Sequence, residues 1–148
     1  MAALLEVDNL VVEFATQDGL VRAVNGVSFS VDPGEIVALV GESGSGKSVT
    51  ALSILRLIPD PPGRVAAGRI LFGGQNLLDL DDAGIRHVRG RRIGMVFQEP
   101  MTSLNPVLSI ERQLTEAMRL HLGLAPAAAR RRAVELLELV AFPSPNGA

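Results

Sequence analysis

The segment at residues 41–48 constrains this chain more than any other, because its glycines, lysine and serine follow a spacing that requires a particular chain path. It reads G-E-S-G-S-G-K-S and fits the pattern G-x-x-x-x-G-K-[ST]. Before it, residues 36–40 form an unbroken, β-branched apolar run that predicts a strand covered on both faces of a parallel sheet. After it, residues 47–58 predict a largely buried helix that ends before Pro59. Strand, glycine-rich loop and helix in this order predict a P-loop α/β fold.

The residue types of this loop suit the phosphates of a nucleotide. Glycines let the backbone curl so that N–H groups point inward, and the start of a helix adds partial positive charge. Lys47 would place its charge near the β- and γ-phosphates, and Ser48 would offer its hydroxyl to Mg²⁺. ATP with Mg²⁺ is the predicted ligand, and the alternative is a plain glycine-rich turn with Ser48 as a helix-start residue. The expected phosphate-binding residues are Gly41, Glu42, Ser43, Gly44, Ser45, Gly46, Lys47 and Ser48.

The rest of the chain predicts a small antiparallel sheet at the start and helices at the end. Apolar residues alternate over residues 10–14 and 27–31, which is typical of two half-buried strands. A loop containing Asp18 and Gly19 joins them. The remaining predictions are a short strand at 68–74, a charged helix at 81–91, a second covered strand at 93–97, and amphipathic helices from about 109 and about 126.

Composition excludes several classes of function. The 148-residue chain has no cysteine, so it can form neither a disulfide framework nor a thiolate metal site. Its formal net charge of −2 gives no global attraction to nucleic acid phosphates, and we expect no nucleic acid partner. No stretch approaches the ~18 consecutive apolar residues of a membrane span.

A polar, proline-punctuated loop with Gln98 follows the second predicted covered strand. From Phe97 it reads F-Q-E-P-M-T-S-L-N-P, and ligands bind at strand ends in open α/β sheets. Together with G-E-S-G-S-G-K-S-V-T upstream, it makes the chain resemble the ATP-binding subunits of oligopeptide/dipeptide ABC importers over about residues 4–140. Within that group, S-V-T-A-L-S-I-L-R-L-I-P after the lysine and R-G-x-x-I-G-M-V-F-Q from Arg89 resemble the first of the two ATPase subunits.

The resemblance implies the fold class and its division into parts. The expected fold is an α/β P-loop NTPase of the ABC ATPase type, with an N-terminal antiparallel β subdomain and the beginning of an α-helical subdomain. The expected parts are a β subdomain at 1–34, strand, P-loop and helix at 35–58, strands and glutamine loop at 64–106, and the start of the helical subdomain at 109–141. In this family further strands complete the parallel sheet, so the segments that hold Val37 and Val96 are expected to lack neighbours and to expose apolar edges.

The resemblance also implies roles for single residues. Gln98 is implied to help hold Mg²⁺ and the attacking water, and the residues after it to contact the membrane subunits. Lys47 and Gln98 are therefore the expected catalytic residues, and Ser48 and Gln98 the expected metal ligands. Without the match downstream, Gln98 would be interpreted as a polar residue that caps a strand.

Two further positions are expected at the nucleotide. Val49 stands where many ABC ATPases carry a second hydroxyl, but its backbone N–H can still reach the α-phosphate. Phe14 has two open interpretations. The resemblance places an aromatic ring that stacks on adenine near the end of the first long strand, whereas alternation with Leu10 and Val12 is equally consistent with a core residue.

The resemblance implies ATP-driven import of peptides or related small solutes at the cytoplasmic face of the bacterial inner membrane. The implied partners are transmembrane permease subunits, a second ATP-binding subunit that completes a dimer, and, indirectly, an extracytoplasmic substrate-binding protein. The family's L-S-G-G-Q-like signature, Asp-Glu strand and switch histidine do not occur in these 148 residues, so little ATPase activity is expected from the chain alone. Two alternatives stay open: another P-loop ATPase or kinase, and a truncated nucleotide-binding fragment without activity.

Overall fold

The structure is a computed structural model that describes residues 3–98 and 104–142. The chain divides into two units, Met1–Arg86 and His87–Ala148. The first holds an antiparallel sheet, the glycine-rich loop and the helix that follows it. The second holds a pair of helices.

Four antiparallel strands form the sheet of the N-terminal unit, in the order β2-β1-β3-β4. The predicted hairpin at the start of the chain is present, with Thr16 paired to Gly19 across its turn. Its strands are longer than predicted, because polar side chains on the solvent face interrupt the apolar alternation without ending the ladder. The strands are β1 (Leu5–Thr16), β2 (Gly19–Val31), β3 (Gly63–Phe72) and β4 (Gln75–Asn76).

The core of this unit lies against one face of β1. Val7, Leu10 and Val12 are at most 1% exposed, and Ile70 of β3, the partner of Val7, is fully buried. The spacing from Val7 to Leu10 is three residues because the pairing of β1 shifts between them, and Asn9 adopts φ 48° there. Such a bulge inserts a residue and bends the strand, so the alternation resumes on the same face after it.

Helix α1 (Lys47–Ile54) follows the loop and is shorter than predicted. Arg56 adopts φ 51°. Its N–H donates to Ser53 O at 3.0 Å, and the N–H of Leu57 donates to Leu52 O at 2.8 Å. This pair of hydrogen bonds satisfies the last carbonyls and ends the helix before Pro59.

A helical turn and a short helix follow β4. Leu77–Asp79 form a 3-10 turn, with Asn76 as its capping residue, and α2 spans Asp82–Val88. The charged helix predicted at 81–91 is therefore present and three residues shorter at its C-terminal end.

The C-terminal unit is built on two helices, as predicted: α3 (Ile110–Leu122) and α4 (Pro126–Leu139). The hydroxyl of Ser109 caps α3 by accepting the N–H of Arg112 at 3.2 Å. Met118 packs with Ala129 and Ala133, and the small alanines allow the two helices to approach closely. Within residues 3–98 and 104–142, no helix has the length and apolar character to cross a bilayer.

The two predicted covered strands are wrong for the structure of this chain. Residues 36–40 and 94–97 carry no strand, and Ile93 makes only an isolated bridge with Arg89. Ile36, Val40 and Val96 are 98%, 85% and 97% exposed. A covered strand needs hydrogen-bonded neighbours and packing layers on both faces, and the described ranges supply neither to these segments. The expected exposure of apolar residues there is thus observed.

Candidate functional site

The ammonium group of Lys47 is held by carbonyl oxygens of the loop that precedes it. Lys47 Nζ donates to Gly41 O at 2.7 Å and to Glu42 O at 2.6 Å. A lysine ammonium has three donors and no acceptor, and the third donor has only a longer contact, 3.4 Å to Ser45 Oγ. The loop therefore closes around the lysine and leaves one N–H direction that an anionic oxygen can take over.

Gly46 joins this loop to helix α1 and packs against strand β2. It adopts φ 91° and serves as the N-cap of the helix. A Cβ atom at this position would lie 2.3 Å from the carbonyl oxygen of Ala23 and 3.3 Å from Val24 Cγ2. Both the backbone angle and the contact exclude a side chain, so glycine is required here.

The first turn of α1 supplies further hydrogen-bond donors next to the loop. Ser48 is exposed and Val49 half-buried, and the first turn contains no acidic residue. Backbone N–H groups in the first turn have no acceptor within the helix, and the dipole places partial positive charge there. The exposed backbone of residues 41–45 faces solvent beside this turn. The arrangement can bind an anionic group with lysine, hydroxyl and backbone donors.

Among the groups of this site, the hydroxyl oxygen of Ser48 can ligate a hard cation. Within the described ranges, no group of three or more histidines, cysteines or acids is placed to hold a metal ion on its own. The exposed hydroxyl of Ser48 is a hard oxygen of the kind that Mg²⁺ accepts together with phosphate oxygens and water. Ser48 is therefore compatible with Mg²⁺ brought in with a nucleotide.

Phe14 lies near the end of β1 and is half-buried. Its partner across the β1–β3 ladder is Gly63. A Cβ atom on Gly63 would lie 2.7 Å from Phe14 Cε1 and 2.5 Å from Ile58 Cγ2, so the two side chains occupy the space over this glycine. Stacking on adenine and a place in the core both remain compatible with this position.

Gln98 is exposed and belongs to the C-terminal unit. It is the last described residue before 99–103, which lie outside the described residues together with that part of the predicted membrane-subunit contact. Its roles in metal binding and in catalysis stay predictions.

A buried acid next to Phe14 was not predicted from the sequence. Glu13 is 4% exposed, and its Oε1 and Oε2 accept hydrogen bonds from Arg22 Nε at 2.9 Å and Arg64 Nη2 at 3.1 Å. These bonds, first that of Arg22 and then that of Arg64, hold the pKa of Glu13 below its usual value. The hairpin register could have indicated Arg22, but Arg64 is brought in by a strand 51 residues away.

Comparison with known proteins places the chain in one family. A family model described as ABC transporter matches residues 24–146. The oligopeptide transport ATP-binding protein OppD of Bacillus subtilis is 52% identical over 143 residues, which are 97% of this chain and 40% of that protein. The peptidoglycan transport ATP-binding protein YejF of Agrobacterium fabrum is also 52% identical over 143 residues, 97% of this chain and 26% of that protein. The chain thus spans less than half the length of these relatives.

Solved structures with a similar fold are ABC cassettes. A dimeric structure of a bacterial ABC transporter cassette superposes with a TM-score of 0.76 at 22% identity, over 95% of this chain and 58% of that one. The cassette cbiO1 of Clostridium perfringens gives a TM-score of 0.62 at 25% identity, over 93% of this chain and 50% of that one. These similarities confirm the predicted fold class.

Proposed function

This chain belongs to the ABC transporter family, and from that premise we propose that its residues 41–48 bind ATP together with Mg²⁺. The observation that carries the proposal is the position of Lys47 Nζ, 2.7 Å from Gly41 O and 2.6 Å from Glu42 O. Two carbonyl acceptors hold the ammonium group of Lys47 beside the loop, so the side chain loses little conformational freedom when a phosphate binds.

Different groups of the chain contact different parts of the nucleotide's phosphates and the metal. Lys47 places its ammonium at the β- and γ-phosphate oxygens, and the N–H groups of the first turn of α1, including that of Val49, surround the α- and β-phosphates. Ser48 contributes its hydroxyl as a metal ligand. A magnesium ion held there would neutralise part of the phosphate charge. These donors lie within residues 41–49, so the phosphates are held by one continuous segment of the chain.

A titration of ATP with Mg²⁺ against the chain and its Lys47→Ala variant tests this proposal. We expect at least about tenfold weaker binding by the variant, because a charge-assisted hydrogen bond to phosphate is lost. Arg131→Ala, which removes an exposed cation from α4, is the matched control and should bind as the unmodified chain does. Equal affinities for the unmodified chain and Lys47→Ala would overturn the proposal.

We also propose that the chain serves as the ATP-binding part of an importer of peptides or related small solutes. OppD carries oligopeptide transport in its name and is 52% identical over 143 residues. The proposed partners are transmembrane permease subunits and a second ATP-binding subunit at the cytoplasmic face of the bacterial inner membrane, with a substrate-binding protein acting through the permease.

A chimera tests the transport proposal without requiring further residues of this protein. Residues 4–140 would replace the matching segment of OppD from Bacillus subtilis, and peptide uptake would be measured in cells that lack the native subunit. We expect uptake to persist and to be abolished by Lys47→Ala in the same chimera. A chimera that hydrolyses ATP but imports no peptide would contradict the proposal that these residues serve a peptide importer.

Gln98 is proposed to couple nucleotide to the permease. Its side chain is exposed and is therefore accessible to a partner subunit. In the chimera, Gln98→Ala should retain ATP binding and lose the part of hydrolysis that transport stimulates. Stimulated hydrolysis at the level of the unmodified chimera would refute this role.

Hydrolysis by the chain alone is proposed to be slow. Its loop supplies phosphate binding, whereas the family's signature segment and catalytic acid do not occur in these 148 residues. Phosphate release from ATP should therefore stay near the uncatalysed background while ATP binding is measurable. Rapid turnover that Lys47→Ala abolishes would contradict this expectation.

A further inference from the structure

The carboxylate of Glu13 ties three strands together at one level of the sheet. It lies on the central strand β1, directly opposite Arg22 on β2 and Arg64 on β3. The arginine side chains are 59% and 62% exposed, whereas the glutamate side chain is 5% exposed. Both of its oxygens are bonded, as a buried carboxylate requires.

The hydrogen bonds of Glu13 lie where the backbone ladder of the sheet is irregular. The pairing of β1 with β2 shifts between Val12 and Glu13. A bulge locally disrupts the hydrogen-bond ladder and increases the twist, so side-chain contacts contribute more to the alignment of the strands. Glu13 and Arg22 are the first pair after this shift.

Phe14 follows immediately and lies on the opposite face of β1 from Glu13, since successive side chains alternate. Phe14 therefore shares its face with Val12. Val12 pairs with Val24, and a Cβ atom placed on Gly46 of the glycine-rich loop would lie 3.3 Å from Val24 Cγ2. The ring of Phe14 thus lies on the face of the sheet against which the loop packs.

We propose that Glu13 is a positioning residue that, through Arg22 and Arg64, holds the ring of Phe14 where it can stack on the adenine of ATP. The stacking rests on the proposed binding of ATP and on one of the two interpretations of Phe14, whereas the position of the ring rests on geometry alone. Arg64 is the direct neighbour of Gly63, over which the Phe14 ring and Ile58 meet. Loss of the tie would let the end of β1 shift and the ring leave Gly63.

The position of the ring can be measured without nucleotide. Nuclear Overhauser contacts between the Phe14 ring and the Ile58 methyl group should be present in the unmodified chain and lost or at least halved in Glu13→Gln. The matched control is Asp8→Asn, which breaks the other carboxylate–arginine pair between β1 and β3, Asp8 with Arg69 at 2.5 Å. The control should keep the contacts, and equal loss in both variants would overturn the proposal.

The consequence for binding is measured with two ligands, ATP and inorganic tripolyphosphate, each with Mg²⁺. Base-on-aromatic stacking makes ATP the tighter ligand, and Glu13→Gln should weaken ATP by about fivefold to tenfold with tripolyphosphate unchanged. Phe14→Leu should show the same selective loss, and the double variant no further loss. A purely structural role would weaken both ligands alike and would overturn the proposal.

Two further results separate this proposal from the function on which it rests. If Lys47→Ala binds both ligands normally, the phosphate loop assignment fails while the ring measurement still decides the role of Glu13. If Glu13→Gln does not fold, Arg22→Gln and Arg64→Gln, each of which removes one exposed arm, replace it in both measurements. Unchanged ring contacts in both arginine variants would overturn the proposal.

Discussion

The ammonium nitrogen of Lys47 lies 2.7 Å from the carbonyl oxygen of Gly41, the residue that begins the same loop. This bond links the first residue of the loop to the lysine near its end. A preformed loop loses little conformational entropy on binding.

Ser48→Ala should weaken the dependence of ATP binding on Mg²⁺. The hydroxyl of Ser48 is the proposed protein ligand of the metal, whereas the backbone donors remain in the variant. We expect the ratio of ATP affinities with and without Mg²⁺ to fall by at least about fivefold, which corresponds to about 1 kcal/mol of binding free energy. Ser30→Ala, at an exposed serine of β2, is the control, and an equal fall in both would contradict the assignment.

Gly46→Ala should destabilise the N-terminal unit more than Gly44→Ala does. Both glycines have positive φ, 91° and 79°, but only at Gly46 would the new methyl group meet backbone, at 2.3 Å from Ala23 O. The strain alone costs about 1–2 kcal/mol, and the clash adds about 1–3 kcal/mol. Urea denaturation would measure both variants, and equal losses of unfolding free energy would contradict the packing of the loop on β2.

Acid should remove the stabilisation that Glu13 contributes. Its pKa is lowered in the folded state by Arg22 and Arg64, so the contribution is present above the unfolded pKa of about 4.3. It is lost as pH falls from there through the folded pKa. The difference in unfolding free energy between the unmodified chain and Glu13→Gln should therefore shrink from pH 7 to below pH ~4. A difference that does not depend on pH would refute the charged pairing, and Glu116→Gln, at an exposed position on α3, serves as the control.

Ile36→Ala should leave stability nearly unchanged, whereas Ile70→Ala should lower it strongly. Ile36 is 98% exposed and Ile70 is fully buried. Exposed substitutions usually lie within about 0.5 kcal/mol, and burial of an isoleucine makes its truncation cost about 2–5 kcal/mol. Similar losses in the two variants would indicate that residues 36–40 are covered after all.

Local patterns predicted much of the fold. The hairpin of β1 and β2 follows from apolar alternation around Asp18 and Gly19, and α3 and α4 follow from their helical periodicity and from Pro126 at a helix start. The position of the glycine-rich loop was predicted because its residue pattern, its glycines with positive φ and the start of the following helix all lie within one short segment. These features depend on hydrogen bonds between residues close in the chain.

The covered strands show where a local pattern is insufficient. Residues 36–40 have the apolar, β-branched composition of a buried strand, yet a strand exists only when another chain segment supplies hydrogen bonds along its edge. Whether a neighbouring segment offers these hydrogen bonds depends on the assembled sheet and not on the residues of the strand itself. Composition therefore predicted a strand at residues 36–40 that does not form in the described chain.

The sequence by itself determined the loop at residues 41–48, because a lysine six residues after its first glycine and a glycine before it define a chain path through local geometry that is typical of phosphate-binding loops. Only the tertiary structure decided that Glu13 is buried between Arg22 and Arg64, and that Phe14 lies on the face of the sheet against which the loop packs. Those relationships depend on strand order and on the register shift next to Glu13. Strand order and register are set by pairing between distant segments, which local residue spacing does not specify.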